Sequence, residues 1–159
     1  MPVRDDYLLR FVNLLREALA EAVRLRKGGR HEQALLVIIQ TQEKLFVRPA
    51  AEFIRLNLDQ QIELLRRGEK PSDARTKLLA YASLMREAGE IYAARDRADL
   101  AAGAFQAALH VSLVVANEDV APDENLRTTI GELLKQVPPE QLQPPVVEML
   151  QRLPNAGEI

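Results

Sequence analysis

The sequence contains no cysteine and no tryptophan, and it has only two histidines, His31 and His110. The absence of cysteine excludes disulfide frameworks, thiolate zinc sites, iron–sulfur ligation and cysteine nucleophiles. Two histidines are too few for a multi-histidine metal centre. We therefore expect no metal site and no bound cofactor, and we look for functions that depend on neither.

Neither sign of charge is in excess. Lys and Arg number 21 against 23 Asp and Glu, and the formal net charge of −2 gives no electrostatic bias toward nucleic acid or a membrane surface. Basic residues cluster at 24–30 and 66–70, where helices are predicted to end and where cations complement the helix dipole. With 4% aromatic residues and no recognition helix, we expect no nucleic-acid partner.

The sequence also has little that is typical of a secretory signal or a membrane span. Residues 1–6 carry two acids where a signal needs a positive start. The longest charge-free stretch, 100–117, is long enough to span a membrane, but it contains four polar side chains. We interpret it as a fully buried core helix, and we expect a cytoplasmic protein with no membrane partner.

Leucine and alanine are abundant, with 25 and 21 residues of the 159. Both favour helices, and apolar residues recur every three or four positions, which predicts helices with buried faces. Glycine and proline residues, such as Gly28-Gly29, Gly68 and Pro71, separate these periodic segments. The prediction is a single all-α domain over 1–154 with a frayed tail at 155–159. Its parts are a first hairpin at 3–46, an inserted helix at 49–67, a second hairpin at 72–118 and short C-terminal helices at 123–153.

The residue patterns of common catalytic sites are missing. Neither histidine follows a glutamate by three residues, so the Glu-x-x-His pairs of di-iron bundles are absent. Glu87 and Glu90 have the spacing of two carboxylates on one helical face. With Arg86 and Arg95 nearby, we interpret them as a solvated face with salt bridges. His110 lies in the most apolar segment and is interpreted as a core or interface histidine. We predict no catalytic residues and no enzymatic activity.

One spacing is specific. Gly89 is followed by Tyr92 three residues on, Ala101 nine further, Phe105 after four more and Ala108 after another three. Small residues at these positions let two antiparallel helices approach closely, and the aromatic residues fill the space where a next hairpin stacks. The segment resembles a tetratricopeptide repeat, which has this order of small and aromatic residues.

A weaker copy of the pattern lies near the start. Ala34 falls at the first consensus alanine and Leu25 at the aromatic position of the first helix, and Ala34 precedes Ala101 by 67 residues, close to twice the 34-residue period. The chain from 3 to 118 also resembles a family of bacterial all-helical domains of unknown function. Members of that family open with an acidic–Tyr–aliphatic–aliphatic–Arg run, here residues 6–10, and carry one repeat hairpin near the middle.

The tetratricopeptide resemblance implies antiparallel hairpins stacked in a right-handed superhelix of about six or seven helices. It also implies a non-catalytic scaffold or adaptor that binds a protein or peptide partner in a groove lined by first-helix residues. The candidate groove residues are Arg16, Leu19, Val23 and Arg26 in the first hairpin and Ser83, Arg86, Glu90 and Ala93 in the second.

Two alternatives remain open. Two repeats are fewer than the three usually needed to bury a stable core, so the protein is alternatively a self-associating structural homodimer. The other alternative is a helical binding protein for a small apolar ligand. A deep cavity lined by Leu and Ala that holds His110 or Tyr92 would favour this second alternative.

Overall fold

A computed structural model describes residues 2–119 and 122–153. These residues form eight α-helices and one short 3₁₀ helix and contain no strand, so the all-α prediction is confirmed for them. The helices are α1 Pro2–Lys27, α2 His31–Phe46, α3 Ala50–Ile54, α4 Leu58–Arg66, α5 Pro71–Ala94, α6 Ala98–Glu118, α7 Glu124–Gln136 and α8 Pro144–Arg152, with the 3₁₀ helix at Pro139–Gln141. The predicted frayed tail, 155–159, lies outside the described residues.

The first hairpin consists of α1 and α2, which pack along each other. The sharp connection between them depends on Gly29, whose φ of +79° lies in the left-handed region that favours glycine. The backbone N–H of Arg30 donates to the carbonyl of Leu25 at 2.8 Å, which satisfies one of the last carbonyls of α1. The glycine pair thus ends α1 and reverses the chain direction.

The inserted segment forms two helices, and the prediction of one helix over 49–67 is wrong. The chain turns after Ile54, and Asn57 then begins α4 with a capping box. The Asn57 side chain accepts from the Gln60 N–H at 2.8 Å, and the Gln60 side chain accepts from the Asn57 N–H at 2.9 Å. Because this reciprocal pair satisfies two N–H groups that a continuous helix would bond internally, it stabilises a new start. The split gives eight helices where six or seven were expected.

The second hairpin, α5 and α6, is the most extensively packed pair of helices. Its close approach occurs at Gly89, because a Cβ atom built there would lie 2.6 Å from Cε1 of Phe105. Ala101, Phe105 and Ala108 are buried and Tyr92 is half-buried. The structure therefore brings the residues of the specific spacing together at the contact between α5 and α6.

Two apolar clusters form the core. The larger cluster contains residues of every helix from α3 through α8 and includes Leu78, Leu109 and Ile130. The smaller joins α1, α2 and α5 and includes Ala22 and Leu84. Because α5 contributes to both clusters, it is the central helix of the fold.

An aromatic chain runs between the clusters. Phe46 lies 6.4 Å from Phe11 and stacks on Phe53 at 6.0 Å, and Phe53 meets the edge of Tyr81 at 5.4 Å between ring centroids. Aromatic pairs at these separations contribute about 0.5–1.5 kcal/mol beyond their buried area. The chain of rings holds α3 against α2 and α5.

The apolar helix α6 packs against α5, α7 and α8. Among the described residues it is the one helix that is long and apolar enough to cross a membrane, judged by length and composition. Half of the residues in its most apolar 18-residue stretch are buried inside the fold. Its neighbours α7 and α8 are the short C-terminal helices expected after residue 123.

Candidate functional site

The first half of the predicted partner groove lies on α1, where Arg26 already has a partner on α5. Its Nε donates to Oε1 of Glu87 at 2.6 Å, and the two side chains are only 21% and 10% exposed. The expectation that Glu87 belongs to a solvated face is therefore wrong. The carboxylate lies against α1, and the guanidinium from the end of that helix neutralises it.

The second half of the predicted groove faces α7. Arg86 forms an ion pair with Glu132 of α7, and the Ser83 hydroxyl donates to the carbonyl of Leu79 at 3.0 Å. Both residues line a pocket of about 330 Å³ between α5, α6 and α7. Ser112 also lines this pocket and is 1% exposed, and its hydroxyl has no hydrogen-bond partner within the described chain.

The other predicted groove residues differ in exposure. Arg16 is exposed, Leu19 packs against the smaller core cluster, and Val23 and Glu90 are half-buried. Ala93, one turn after Glu90, is exposed and lines a different pocket toward the 3₁₀ helix. The groove therefore stays a prediction, and three of its polar side chains are bonded within the chain.

A different surface has the shape of a binding site. An apolar cleft opens between α2, α3, α4, α5 and α6. Its volume of about 340 Å³ is within the range of natural ligand sites. It forms because α2 and α6 each pack on α5 without packing closely on one another. The floor is a stripe on α5 at 81, 85, 88 and 92, and its spacing keeps these residues on one helical face. Its members are Tyr81, Met85, Ala88 and Tyr92.

The walls of the cleft come from four other elements. The α2 wall is Leu35, Ile38, Ile39 and Gln42, the α3 end is Ala51, Phe53 and Ile54, and α4 and α6 contribute Gln61 and Ala104. No side chain that lines this cleft carries a charge. We therefore expect any group bound inside it to be apolar and uncharged.

The polar groups at the α3 end are satisfied internally. Tyr81 donates to Oε1 of Gln61 at 2.7 Å, and Nε2 of Gln61 donates to the carbonyls of Phe53 and Leu56 at 3.0 and 3.1 Å. Burial raises the pKa of Tyr81 to about 12, so its phenol is neutral at physiological pH. The network fixes α3 and α4 against α5 and leaves little hydrogen-bonding capacity for a polar ligand.

Apolar side chains extend from the cleft onto the surface. Ile39 is 43% exposed and Ile54 is 79% exposed, and both line the cleft. Leu36, on the same helix as Ile39, is 52% exposed and lies outside the cleft. Adjacent exposed apolar side chains around a concave site are typical of a surface that another molecule covers.

A smaller basic pocket shares Phe53 with the cleft. It has a volume of about 210 Å³ and an apolar base of Phe46, Phe53, Leu64 and Leu65. Arg48, Arg67 and Lys77 surround it. Lys77 donates to Oε1 of Glu69 at 2.6 Å, whereas both arginines are exposed and have no ion pair within the described chain.

His110 is buried in α6, beside α4. Its Nε2 lies 3.8 Å from Oδ1 of Asp59, and its Nδ1 has no hydrogen-bond partner among the described residues. Burial lowers the pKa of His110, and the Asp59 carboxylate opposes this shift. Among the described residues no group of three or more His, Asp and Glu side chains could hold a metal ion.

Comparison with protein-family models, with curated proteins and with solved structures finds no match to this chain. The tetratricopeptide resemblance therefore depends on the residues at 89–108 and on the weaker copy before them. Sequence reasoning missed the apolar cleft, since its lining comes from five helices. One local signal for the cleft was present in the sequence. It is the apolar stripe on α5 from Tyr81 to Tyr92, on a helical face that no single neighbouring helix covers.

Proposed function

We propose that this protein is a non-catalytic protein-interaction module and that the apolar cleft is its binding surface. The observation that carries the proposal is a preformed, uncharged cleft of about 340 Å³ whose rim exposes Ile39 and Ile54. Apolar anchors that enter such pockets contribute most of the binding energy at protein interfaces.

A polypeptide fits the cleft better than a compact molecule does. The floor stripe from Tyr81 to Tyr92 is about 16 Å long at the helical rise, which matches three turns of a bound helix. A groove with apolar walls favours an amphipathic helix that inserts side chains at three- and four-residue spacing. The exposed rim at Ile39 and Ile54 would then be covered by the rest of the same segment.

The test is capture of partners from a lysate with three forms of the tagged full chain. Ile39→Glu with Ile54→Glu puts two carboxylates at the rim, where burial against an apolar partner is costly. Leu36→Glu is the matched control, because it changes an apolar residue of α2 that lies outside the cleft and whose exposure is between those of Ile39 and Ile54. We expect a partner retained by wild type and by the control, with at least about tenfold less on the cleft variant. Equal retention on all three forms would reject the cleft as the binding surface.

The predicted α1–α5 groove is a competing surface for the same kind of partner. Arg16→Glu with Arg86→Glu changes its charge at two positions without touching the cleft. A partner lost on this variant and kept on the Ile39→Glu, Ile54→Glu form would assign binding to the groove. The opposite pattern would assign it to the cleft.

A second candidate function is binding of a small apolar ligand, and the cleft lining favours it specifically. Leu35, Ala51, Ala88 and Ala104 line the cleft together with Tyr92, the kind of cavity that favours this alternative. Native mass spectrometry of the purified protein would detect a retained molecule as added mass. A uniform apo mass together with a captured protein partner would favour the interaction module.

We propose a cytoplasmic location for the module, because a chain free of cysteine has no disulfide that would need an oxidising compartment. Self-association through the cleft rim is a further outcome that the same variants detect. A dimer would show concentration-dependent melting, and the cleft variant would abolish that dependence.

A further inference from the structure

We infer that the partner segment is acidic, with carboxylates beside its apolar anchors that the basic pocket of Arg48 and Arg67 receives. This inference rests on the proposed function, since it specifies the chemistry of what occupies the cleft. It depends on the juxtaposition of an uncharged cleft and a positively charged pocket that share one aromatic side chain, Phe53.

The two sites are adjacent because Phe53 lines both of them. Phe53 is 2% exposed and stacks at 6.0 Å between centroids on Phe46, which also lines the basic pocket. One turn of helix advances about 5.4 Å. A bound helix with apolar residues in the cleft can therefore present a carboxylate of a neighbouring turn to the basic pocket.

The pocket carries uncompensated positive charge. Lys77 is neutralised by Glu69 at 2.6 Å, which leaves the guanidinium groups of Arg48 and Arg67 without an ion pair in the described chain. Glu52 and Glu63 are exposed on α3 and α4, but they line neither site. Two guanidinium groups at the edge of an apolar groove favour carboxylates, which they can bind through two hydrogen bonds each.

No charged side chain lines the cleft, and the basic pocket, at about 210 Å³, is smaller than the cleft at about 340 Å³. Binding energy is therefore expected from the cleft, and selection among amphipathic segments from the pocket. A basic amphipathic helix would place like charges beside Arg48 and Arg67 and would be rejected.

The experiment compares two synthetic amphipathic helices of about three turns with the same apolar face. One carries glutamate on its polar face and the other carries lysine. Each contains one tryptophan, whose fluorescence reports binding because the full-length chain has none. At about 50 mM salt we expect the acidic peptide to bind at least about tenfold more tightly, and at about 500 mM we expect this ratio to shrink.

Arg48→Glu with Arg67→Glu should weaken the acidic peptide by at least about tenfold and leave the lysine peptide unchanged or strengthened. The matched control is Arg30→Glu with Lys135→Glu, which makes the same change in net charge at exposed sites away from both pockets. A circular dichroism spectrum of each form checks that the helices remain.

Failure of this inference is distinguishable from failure of the proposed function. If both peptides bind equally, and Ile39→Glu with Ile54→Glu abolishes both, the acidic preference is wrong and the cleft still binds partners. If neither peptide binds wild type, the proposed function itself is contradicted. If dodecanoate binds more tightly than the acidic peptide and displaces it, the occupant is an anionic amphiphile and the peptide assignment is overturned.

Discussion

Replacing Gly89 by alanine tests the packing of the central hairpin. A Cβ atom at this position would lie 2.6, 2.7 and 2.9 Å from three ring atoms of Phe105, whereas carbon atoms prefer at least about 3.5 Å. Phe105 is 2% exposed and packed in the larger core cluster, so its ring would have to retreat by about 0.9 Å into filled space.

The expected cost follows from two opposing effects. Overpacking a core costs about 1–3 kcal/mol, and three short contacts put Gly89→Ala near the upper end. Alanine in place of glycine inside a helix returns about 1 kcal/mol. We therefore expect a net loss of about 1–2 kcal/mol in the free energy of unfolding and a decrease of about 2–8 °C in Tm.

Urea denaturation followed by circular dichroism measures this loss, and Gly103→Ala is the matched control. Gly103 is also inside a helix of the same hairpin, but nothing lies within 4 Å of a Cβ atom built there. The control should gain about 0.5–1 kcal/mol. If Gly89→Ala gains as much as Gly103→Ala, the close approach of α5 and α6 at Phe105 is refuted.

Four further predictions concern buried polar groups. Glu87→Ala leaves Arg26 half-buried without its partner and should cost about 2–3 kcal/mol, and a double-mutant cycle in urea should show coupling between the two residues. Tyr81→Phe removes the donor to Gln61 and should cost about 1–2 kcal/mol. Because burial raises the pKa of Tyr81 to about 12, its contribution to stability is complete below about pH 10, and roughly 3 kcal/mol is lost between about pH 10 and 12. An absorbance titration should show this tyrosine ionising late. Burial lowers the pKa of His110, so the free energy of unfolding should decrease as the pH drops below about 6.5. The urea midpoint of His110→Gln should decrease less than that of wild type over the same pH range.

Local sequence signals predict the helices and miss how distant elements pair. Gly28-Gly29 predicts the break after α1, because the connection needs a left-handed residue and Gly29 supplies it. The break between α3 and α4 also had a signal, since Asn57 followed three residues later by Gln60 has the spacing of a capping box. Helical periodicity on both sides of it favoured one helix instead.

The errors at the site have a common physical cause. Glu87 and Arg26 are 61 residues apart, so nothing near Glu87 in the sequence indicates that α1 would bury and neutralise it. The apolar cleft depends on where α3 lies, and Phe53, Gln61 and Tyr81 fix that helix through contacts between three separate segments. Within the hairpin, by contrast, Gly89 and Phe105 are close in sequence and their contact follows from the repeat spacing.

The most direct test of the cleft as a binding surface is methyl NMR of the full chain labelled at methionine. The sequence has three methionines, of which Met85 lies in the floor of the cleft and Met149, in α8, packs against the larger core cluster outside the cleft. Met85→Leu assigns the cleft signal. On addition of the acidic amphipathic peptide, we predict that the Met85 methyl signal shifts in a saturable manner and that the Met149 signal stays in place. An unchanged Met85 signal at saturating peptide would contradict binding at the cleft.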